Sequence, residues 1–170
     1  GERNYTLDSD LDLTNYEVNY VDGSIKITPR TLTITPNVGQ SKVYDGTTNA
    51  IINYTASNFG FNDNESIITG SLVIKASNAD LHVIEEELTA GANYVIDLVA
   101  TTFEIEKRVI EISGISNTKV YGEASVFGYT VTSDLEPVDI FTVNYTLSSE
   151  DVGERNYTLD SDLDLTNYEV

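Results

Sequence analysis

Hydrophobic and polar residues alternate with a period of two along several short stretches of the chain. Successive side chains of a β-strand point to opposite faces of a sheet, so this alternation predicts strands that bury one face. The clearest alternating stretches are residues 24–28, 31–35, 102–106 and 109–112. Further strands are predicted at residues 51–57, 71–76, 82–88, 93–99, 127–132, 140–147 and 156–165. Short helical turns are predicted at residues 60–66 and 134–139.

The chain repeats itself on two levels. Residues 1–18 recur letter for letter as residues 153–170, which gives a period of 152. Within that period a weaker repeat aligns Tyr16 with Tyr94 and Ile27 with Ile105, at a constant offset of 78. A fixed internal period is typical of tandem repeat proteins. We therefore predict two alternating module types, with residues 1–26 ending one B-type module, residues 27–104 forming an A-type module and residues 105–170 forming a B-type module that lacks its last strand.

The pattern favours an all-β fold. The chain is 40% hydrophobic, enough to build cores, and Val, Ile, Leu and Tyr fit pleated, half-buried surfaces. We expect each module to be a small β-sandwich of the immunoglobulin-like kind, with a β-grasp-like sheet as the alternative. The last strand of one module runs almost directly into the first strand of the next, through Pro29-Arg30 and through Lys107-Arg108. Because Pro29 also fixes its own φ angle, we expect the modules to form a semi-rigid rod.

Charge and composition exclude several functional classes. The formal net charge is −19, and such a chain repels nucleic acid and anionic membrane surfaces. Without cysteine it has no disulfide, no thiolate metal site and no thiol nucleophile. His82 is the single histidine, and its place in an apolar strand favours a structural role. We therefore expect no enzymatic activity, and the sequence has no run of about 20 apolar residues that would span a membrane.

Two related turn motifs stand at matched positions in the two module types. They are Lys42-Val43-Tyr44-Asp45-Gly46 and Lys119-Val120-Tyr121-Gly122. The later elements of the pattern are Val152-Gly153-Glu154-Arg155-Asn156-Tyr157 and an Asn-Tyr pair, which stands at Asn15 in the B-type module that precedes and at Asn93 in the A-type module. With these motifs in this order, the chain resembles the YDG and MBG modules of large bacterial surface adhesins. The resemblance implies tandem all-β domains at the cell surface, and it carries no catalytic residues.

Aspartates alternate with leucines in the duplicated segment, at Asp8, Asp10 and Asp12 and again at Asp160, Asp162 and Asp164. This spacing resembles the start of a calcium loop, but Leu13 and Asn19 stand where an EF-hand needs Gly and Glu. We favour a strand whose leucines face the core and whose aspartates face solvent. Calcium bound between modules is the lesser hypothesis, and we expect no other cofactor.

Two further groups of residues receive structural interpretations. Consecutive strand residues point to opposite faces, so Glu85-Glu86-Glu87 is expected to be a solvated charge cluster. Four tyrosines occupy matched positions in the modules, which predicts core packing rather than a sugar-binding platform. These tyrosines are Tyr16, Tyr44, Tyr94 and Tyr121.

The predicted function is that of a spacer in a long extracellular adhesin, which projects a binding tip from the cell surface. The expected partners are neighbouring identical repeats or chains. One alternative is a self-assembling fibre, in which residues 19–27 of one chain supply the strand that the B-type module of another chain lacks. The residues that would do so are Val21, Gly23, Ile25 and Ile27. The other alternative is a module that binds a host glycan or protein.

Overall fold

The computed structural model describes residues 2–5, 13–133 and 139–170, and within these ranges the fold is all-β, which confirms the expected class. Two single turns of 3-10 helix accompany the strands, at Leu13–Asn15 and Glu65–Ile67. The described strands, in chain order, are β1 Glu2–Tyr5, β2 Gly23–Lys26, β3 Arg30–Pro36, β4 Ser41–Val43, β5 Tyr54–Ser57, β6 Thr69–Val73, β7 Leu81–Val83, β8 Glu85–Thr89, β9 Tyr94–Leu98, β10 Thr102–Glu106, β11 Arg108–Val109, β12 Glu111–Gly114, β13 Tyr129–Thr132, β14 Val143–Leu147, β15 Tyr157–Ser161 and β16 Tyr168–Glu169.

The first of two compact units comprises residues 1–35, 55–70 and 88–99. It contains the antiparallel pair β1–β2 and most of a three-stranded sheet in the order β5-β3-β9. Strand β3 runs parallel to β9, from Arg30 opposite Tyr94 to Ile34 opposite Leu98. The predicted alternation is present in β3, where Leu32 and Ile34 are fully buried.

The second unit comprises residues 36–54, 71–87 and 100–170. It contains the sheet β4-β10-β7 and the two-stranded pairs β11–β16, β12–β13 and β14–β15. Strand β10 is central, with β4 parallel on one side and β7 antiparallel on the other. Its Phe103 and Ile105 are each only 2% exposed, whereas the glutamates between and after them face outward. Removing such side chains from water stabilises the fold by about 1.5–3 kcal/mol each.

One parallel pairing recurs in the two predicted module types. The Arg30 amide donates to the Asn93 carbonyl oxygen at 2.9 Å, and Arg30 lies opposite Tyr94. Likewise, the Arg108 amide donates to the Asn167 carbonyl oxygen at 3.0 Å, and Arg108 lies opposite Tyr168. In both cases a closing Asn-Tyr segment pairs with an opening strand that begins with arginine. The structure thus contains the same local arrangement twice.

Several predicted strands are shorter than the sequence pattern suggested. The predicted strand 82–88 is split at Ile84 into β7 and β8, and 109–112 is split at Ile110 into β11 and β12. The chain changes pairing partners at both positions, because β7 joins β10 whereas β8 joins β6, and β11 joins β16 whereas β12 joins β13.

The two predicted helical turns have different outcomes. The turn predicted at 60–66 is present as the 3-10 turn Glu65–Ile67, with the Asn64 side chain accepting from the Ser66 amide. Most of the turn predicted at 134–139 lies outside the described residues. The module boundaries at residues 26 and 104 stay a prediction.

Candidate functional site

The Lys42-Val43-Tyr44-Asp45-Gly46 motif forms a turn organised by the lysine ammonium group. Lys42 Nζ donates to Asp45 Oδ1 at 2.7 Å, to the Thr47 carbonyl oxygen at 2.7 Å and to the Asn49 carbonyl oxygen at 2.9 Å. Gly46 has φ of 76°, a conformation that glycine adopts without strain. The lysine therefore stabilises the loop that follows β4.

Asp45 also stabilises this turn, as a hydrogen-bond acceptor. Its Oδ1 accepts from the Thr47 amide and from Thr47 Oγ1, each at 2.9 Å, in addition to the lysine. Partial burial alone would raise the pKa of Asp45, but the hydrogen bonds from Lys42 and Thr47 outweigh it and lower the pKa to about 2. The carboxylate is thus held ionised by the loop that it stabilises.

The corresponding lysine of the B-type module is also bound by its loop. Lys119 Nζ donates to Ser125 Oγ at 2.9 Å and forms an ion pair with Glu150. The hydrogen bond from Lys119 lowers the pKa of the Glu150 carboxyl. Both Lys-Val-Tyr motifs therefore use the lysine to fix the loop after the tyrosine. The motif spacing was visible in the sequence, but the oxygen partners of each lysine were not.

The tyrosine of the first motif lies at the junction between the two predicted module types. The Tyr44 amide donates to the Glu106 carbonyl oxygen at 2.9 Å, which extends the β4–β10 ladder. The Tyr44 ring packs edge-on against Tyr168, and the Ala79 amide donates to Asn167 Oδ1 at 2.8 Å. Asn167 and Tyr168 belong to the closing segment of the B-type module, so these contacts join it to residues of the A-type module.

The prediction that all four matched tyrosines pack in cores is wrong for two of them. Tyr44 is buried and Tyr94 is half-buried, but Tyr16 is 64% exposed and Tyr121 is 70% exposed. Tyr44 is covered by the ring of Tyr168, a residue that lies far away in the sequence. Tyr94 is held differently, since its hydroxyl donates to Asp63 Oδ2 at 2.6 Å and accepts from the Gly60 amide at 2.9 Å.

The aspartates of the second copy have separate local partners. Asp160 lies in β15 opposite Asn144, Asp162 accepts from the Thr142 amide, and Asp164 Oδ1 accepts from the Thr166 amide and hydroxyl. In the described ranges, no three His, Cys, Asp or Glu residues come together as a metal-binding group. Asp8, Asp10 and Asp12 lie outside the described residues, and calcium binding stays a prediction.

The leucine alternation of this segment is only partly confirmed. Leu163 is buried, but β15 ends at Ser161 and Leu165 is 53% exposed. The strand ends early because the chain then turns, with Asp164 accepting from Thr166 two residues later. The hydrogen bonds from Thr166 lower the pKa of the Asp164 carboxyl.

His82 and the glutamate cluster take the structural roles that were expected. His82 lies half-buried in β7, opposite Phe103, with Nε2 2.6 Å from the Asn78 carbonyl oxygen. Glu85, Glu86 and Glu87 are exposed, and Glu87 forms an ion pair with Lys75.

The residues proposed for strand complementation lie in and around β2. Gly23 and Ile25 belong to that strand, whereas Val21 precedes it and Ile27 follows it. Strand β2 pairs with β1, Lys26 opposite Glu2 and Gly23 opposite Tyr5. The apolar residues Val21, Ile25 and Ile27 are all more than half exposed.

A cavity of about 890 Å³ lies in the B-type module. Its lining comes from residues 114–127 and 147–159. Both Lys119 and Glu150 line it, so the ion pair of the second Lys-Val-Tyr turn forms part of its wall. Aromatic side chains form another part, with Phe127 and Tyr157 packed at a ring distance of 5.2 Å.

Residues 28–102 match the family model of the YDG domain. The match includes the Lys42 turn and lies inside the predicted A-type module, which confirms a YDG-type module in this part of the chain. The chain matches no curated protein and no solved structure. Within the described ranges, it contains no helix of the length and apolarity needed to cross a bilayer.

Proposed function

From the YDG-type module at residues 28–102, we propose that the chain is a stretch of a tandem spacer in a long extracellular bacterial adhesin. In this proposal the partner module is of the MBG type, and the array holds a binding tip away from the cell surface. The spacer performs no catalysis. Binding of a host glycan or protein by the modules themselves stays a separate prediction.

The observation that carries this proposal is the close connection at the junction after residue 106. Strands β10, β11 and β12 follow one another with single-residue interruptions at Lys107 and Ile110. The Tyr44–Tyr168 ring contact and the hydrogen bond from Ala79 to Asn167 join residues that precede this junction to residues that follow it. A junction without a flexible linker, closed by side-chain contacts, suits a protein whose role is to maintain a distance.

The sequence repeat predicts a corresponding tyrosine contact at the next junction. Tyr121 corresponds to Tyr44 in the motif alignment, and Tyr94 corresponds to Tyr168 in the recurring parallel pairing. When another period follows, its Tyr94 is the residue placed to cover Tyr121. The 70% exposure of Tyr121 in this chain is consistent with that arrangement.

The composition supports an extracellular setting. The chain contains neither cysteine nor methionine, the two side chains most easily oxidised. Its net charge of −19 limits self-association and repels anionic surfaces. Both properties suit a long polymer exposed to the surroundings of the cell.

Small-angle X-ray scattering of polypeptides with one, two and four copies of residues 1–152 tests the proposal. A spacer predicts that the maximum dimension grows by a constant increment per period. A matched set with Tyr44→Ala in every period should keep the number of modules and broaden the distance distribution. If the maximum dimension hardly increases from one to four periods, the array is collapsed and the spacer proposal is wrong.

A further inference from the structure

Five Asn-x-Ser/Thr triplets occur in this chain. Such a triplet is the acceptor motif for N-linked sugars, in which the sugar is attached to the amide nitrogen of the asparagine side chain. A triplet arises easily in a chain rich in asparagine and threonine, so its place in the fold decides whether a sugar fits there. The asparagines concerned are Asn4, Asn53, Asn64, Asn144 and Asn156.

Two of these triplets lie on neighbouring strands and have the same sequence, Asn-Tyr-Thr. The first, Asn144 to Thr146, lies within β14, and the second, Asn156 to Thr158, runs into β15. Because successive residues of a strand point to opposite faces, each tyrosine points to one face and its asparagine and threonine point to the other. The burial follows this alternation, since both asparagines and both threonines are exposed whereas the tyrosines are half-buried.

The tyrosines of the two triplets fix this orientation by packing on the inner face of the strand pair. Tyr145 stacks on Phe127 at a ring distance of 5.0 Å, and Tyr157 meets the same ring edge-on at 5.2 Å. The Tyr157 hydroxyl also donates to the Ile115 carbonyl oxygen at 2.6 Å. Turning either strand over would expose these rings to water, so the asparagines and threonines are held on the outer face.

The outer face leaves both asparagine side chains available. Among the described residues, none forms a hydrogen bond with the side-chain amide of Asn144 or Asn156. By contrast, Asn53 and Asn64 lie in loops, and the Asn64 side chain already accepts from the Ser66 amide at 3.0 Å. The pair of strands therefore presents two free acceptor amides on one face.

The antiparallel register brings the two triplets together. Thr146 lies opposite Thr158, and Asn144 lies opposite Asp160. Asn156 directly precedes β15 and therefore lies at the other end of the strand pair, about 14 Å from Asn144 at the usual rise and spacing of strands. The two asparagines are thus far enough apart to carry one sugar chain each, with both chains directed to solvent.

Pairing with a further strand leaves the second of these asparagines at the surface. The first copy of its triplet begins at Asn4 in β1, where Asn4 lies opposite Ser24 of β2. Asn4 is exposed in this pairing. The same sequence at Asn156 therefore keeps its side chain exposed when a strand of a following period pairs with it.

We propose that Asn144 and Asn156 are acceptor sites for N-linked sugars, which makes the outer face of the β14–β15 pair a glycosylated surface. The donor is a sugar carried on a diphosphate, either of a nucleotide or of a lipid carrier. Nδ2 of the asparagine forms a bond to the anomeric carbon and loses one proton to a base of the transferase. The bond from that carbon to the diphosphate oxygen breaks, and the diphosphate leaves with the electron pair.

Sugars at this place have a physical consequence for the strand pair. They are bulky and strongly hydrated, so they hinder other chains from pairing with the exposed strands β14 and β15. The modification goes beyond the spacer role and does not depend on it.

Peptide mass spectrometry of the natural protein, isolated from the cells that produce it, tests the proposal directly. The expected result is a sugar on the Asn144 peptide and on the Asn156 peptide, whose sequence also represents Asn4. A gain of single hexoses identifies a nucleotide-activated donor, a gain of one preassembled oligosaccharide identifies a lipid-linked donor, and either supports the acceptor sites. A sugar-free peptide at either position overturns the proposal and leaves the scattering test of the spacer unaffected.

Enzymatic transfer to the full 170-residue chain tests the role of the triplet. With UDP-glucose and a soluble N-glycosyltransferase, the chain should gain a hexose at Asn144 and at Asn156. Thr146→Val keeps the branched shape but removes the hydroxyl, so it should lower transfer to Asn144 at least about a hundredfold and leave Asn156 unchanged. Thr130→Val is the matched control, because Thr130 is an exposed threonine of β13 outside these triplets, and it should change neither rate.

Two outcomes of the transfer experiment contradict the proposal. Transfer to Asn144 that persists at the full rate in Thr146→Val would mean that the triplet is not what the transferase recognises. A wild-type chain that gains no hexose at either asparagine would mean that the outer face of the strand pair is not an acceptor surface. Circular dichroism of the variants checks that they are folded.

Discussion

The ring of Tyr44 packs edge-on against the ring of Tyr168, with centroids 5.6 Å apart and an interplanar angle of 81°. Both rings are buried, and the Tyr168 hydroxyl donates to the Asp139 carboxylate. Edge-to-face aromatic pairs stabilise a fold beyond the area that they bury. Tyr16 has the same sequence neighbours as Tyr168 on its N-terminal side, yet it is mostly exposed.

The first prediction compares Tyr168 with Tyr16, which occupy equivalent positions in the two copies of the duplicated segment. Tyr168→Ala should lower the free energy of unfolding by about 3 kcal/mol, because it leaves a cavity beside Tyr44 and an unpaired Asp139. Tyr16→Ala should change it by no more than about 0.5 kcal/mol, since a mostly exposed ring loses little packing. Urea unfolding followed by circular dichroism measures both. Equal effects at the two positions would show that the junction contact contributes nothing to stability.

Local pattern predicted much of the secondary structure, because alternation is a property of neighbouring residues. The strand predicted at 102–106 has the bounds of β10, and Phe103 and Ile105 are buried as the alternation indicated. What the pattern lacked was the identity of the pairing partners. The parallel pairs β3–β9, β10–β4 and β11–β16 join segments far apart in the chain, so no local signal specifies them.

The candidate site was predictable to the same limited extent. Asp45-Gly46 indicated a turn, and the turn is present. The role of Lys42 was not apparent, because two of its oxygen partners are backbone carbonyls of Thr47 and Asn49, which every residue possesses. Because any residue can supply a carbonyl oxygen, the sequence alone does not indicate which oxygens bind the lysine.

The second prediction concerns this lysine. Lys42→Met keeps the length of the side chain but removes the donor to Asp45 and to two carbonyl oxygens, so it should lower the free energy of unfolding by about 2 kcal/mol. Lys75→Met is the matched control, because Lys75 pairs with Glu87 on the open surface and such pairs contribute little. Chemical denaturation of both variants measures the difference. Similar losses would mean that the Lys42 turn is no more important than a surface ion pair.

The third prediction is an acid dependence that arises from Asp45. Its pKa of about 2 in the folded chain lies below the ordinary value of 3.8, so the folded state favours the ionised carboxylate. The resulting stabilisation is present above pH 4 and is lost as the pH falls towards 2. The side chain is 40% exposed, and solvent screening therefore reduces the contribution to about 1 kcal/mol.

Asp45→Asn isolates this contribution from those of the other carboxylates. The wild-type chain should be more stable than the variant by about 1 kcal/mol at pH 7, and the difference should vanish near pH 2. Denaturation midpoints at a series of pH values between 2 and 7 measure it. A difference that stays constant over this range would show that the effect comes from shape or hydrogen bonding and not from ionisation.

The fourth prediction concerns Asn58, which combines a left-handed backbone with three hydrogen bonds. Its φ angle is 74°, its carbonyl oxygen accepts from Arg30 Nε at 2.8 Å, and its side chain accepts from Arg30 Nη2 at 2.9 Å. Its Nδ2 also donates to the Thr31 carbonyl oxygen at 2.6 Å. Asn58→Gly removes the two side-chain bonds and should lower the free energy of unfolding by about 1–2 kcal/mol.

Asn58→Ala removes the same bonds and adds the steric cost of a Cβ at positive φ, so it should be less stable than Asn58→Gly by about a further 1 kcal/mol. The glycine variant also gains freedom in the unfolded chain, which reduces the gap but does not reverse it while φ stays positive. Urea unfolding of the two variants side by side gives the comparison. An alanine variant as stable as the glycine variant would mean that residue 58 leaves the left-handed region at little cost, and that Asn58 acts through its side chain alone.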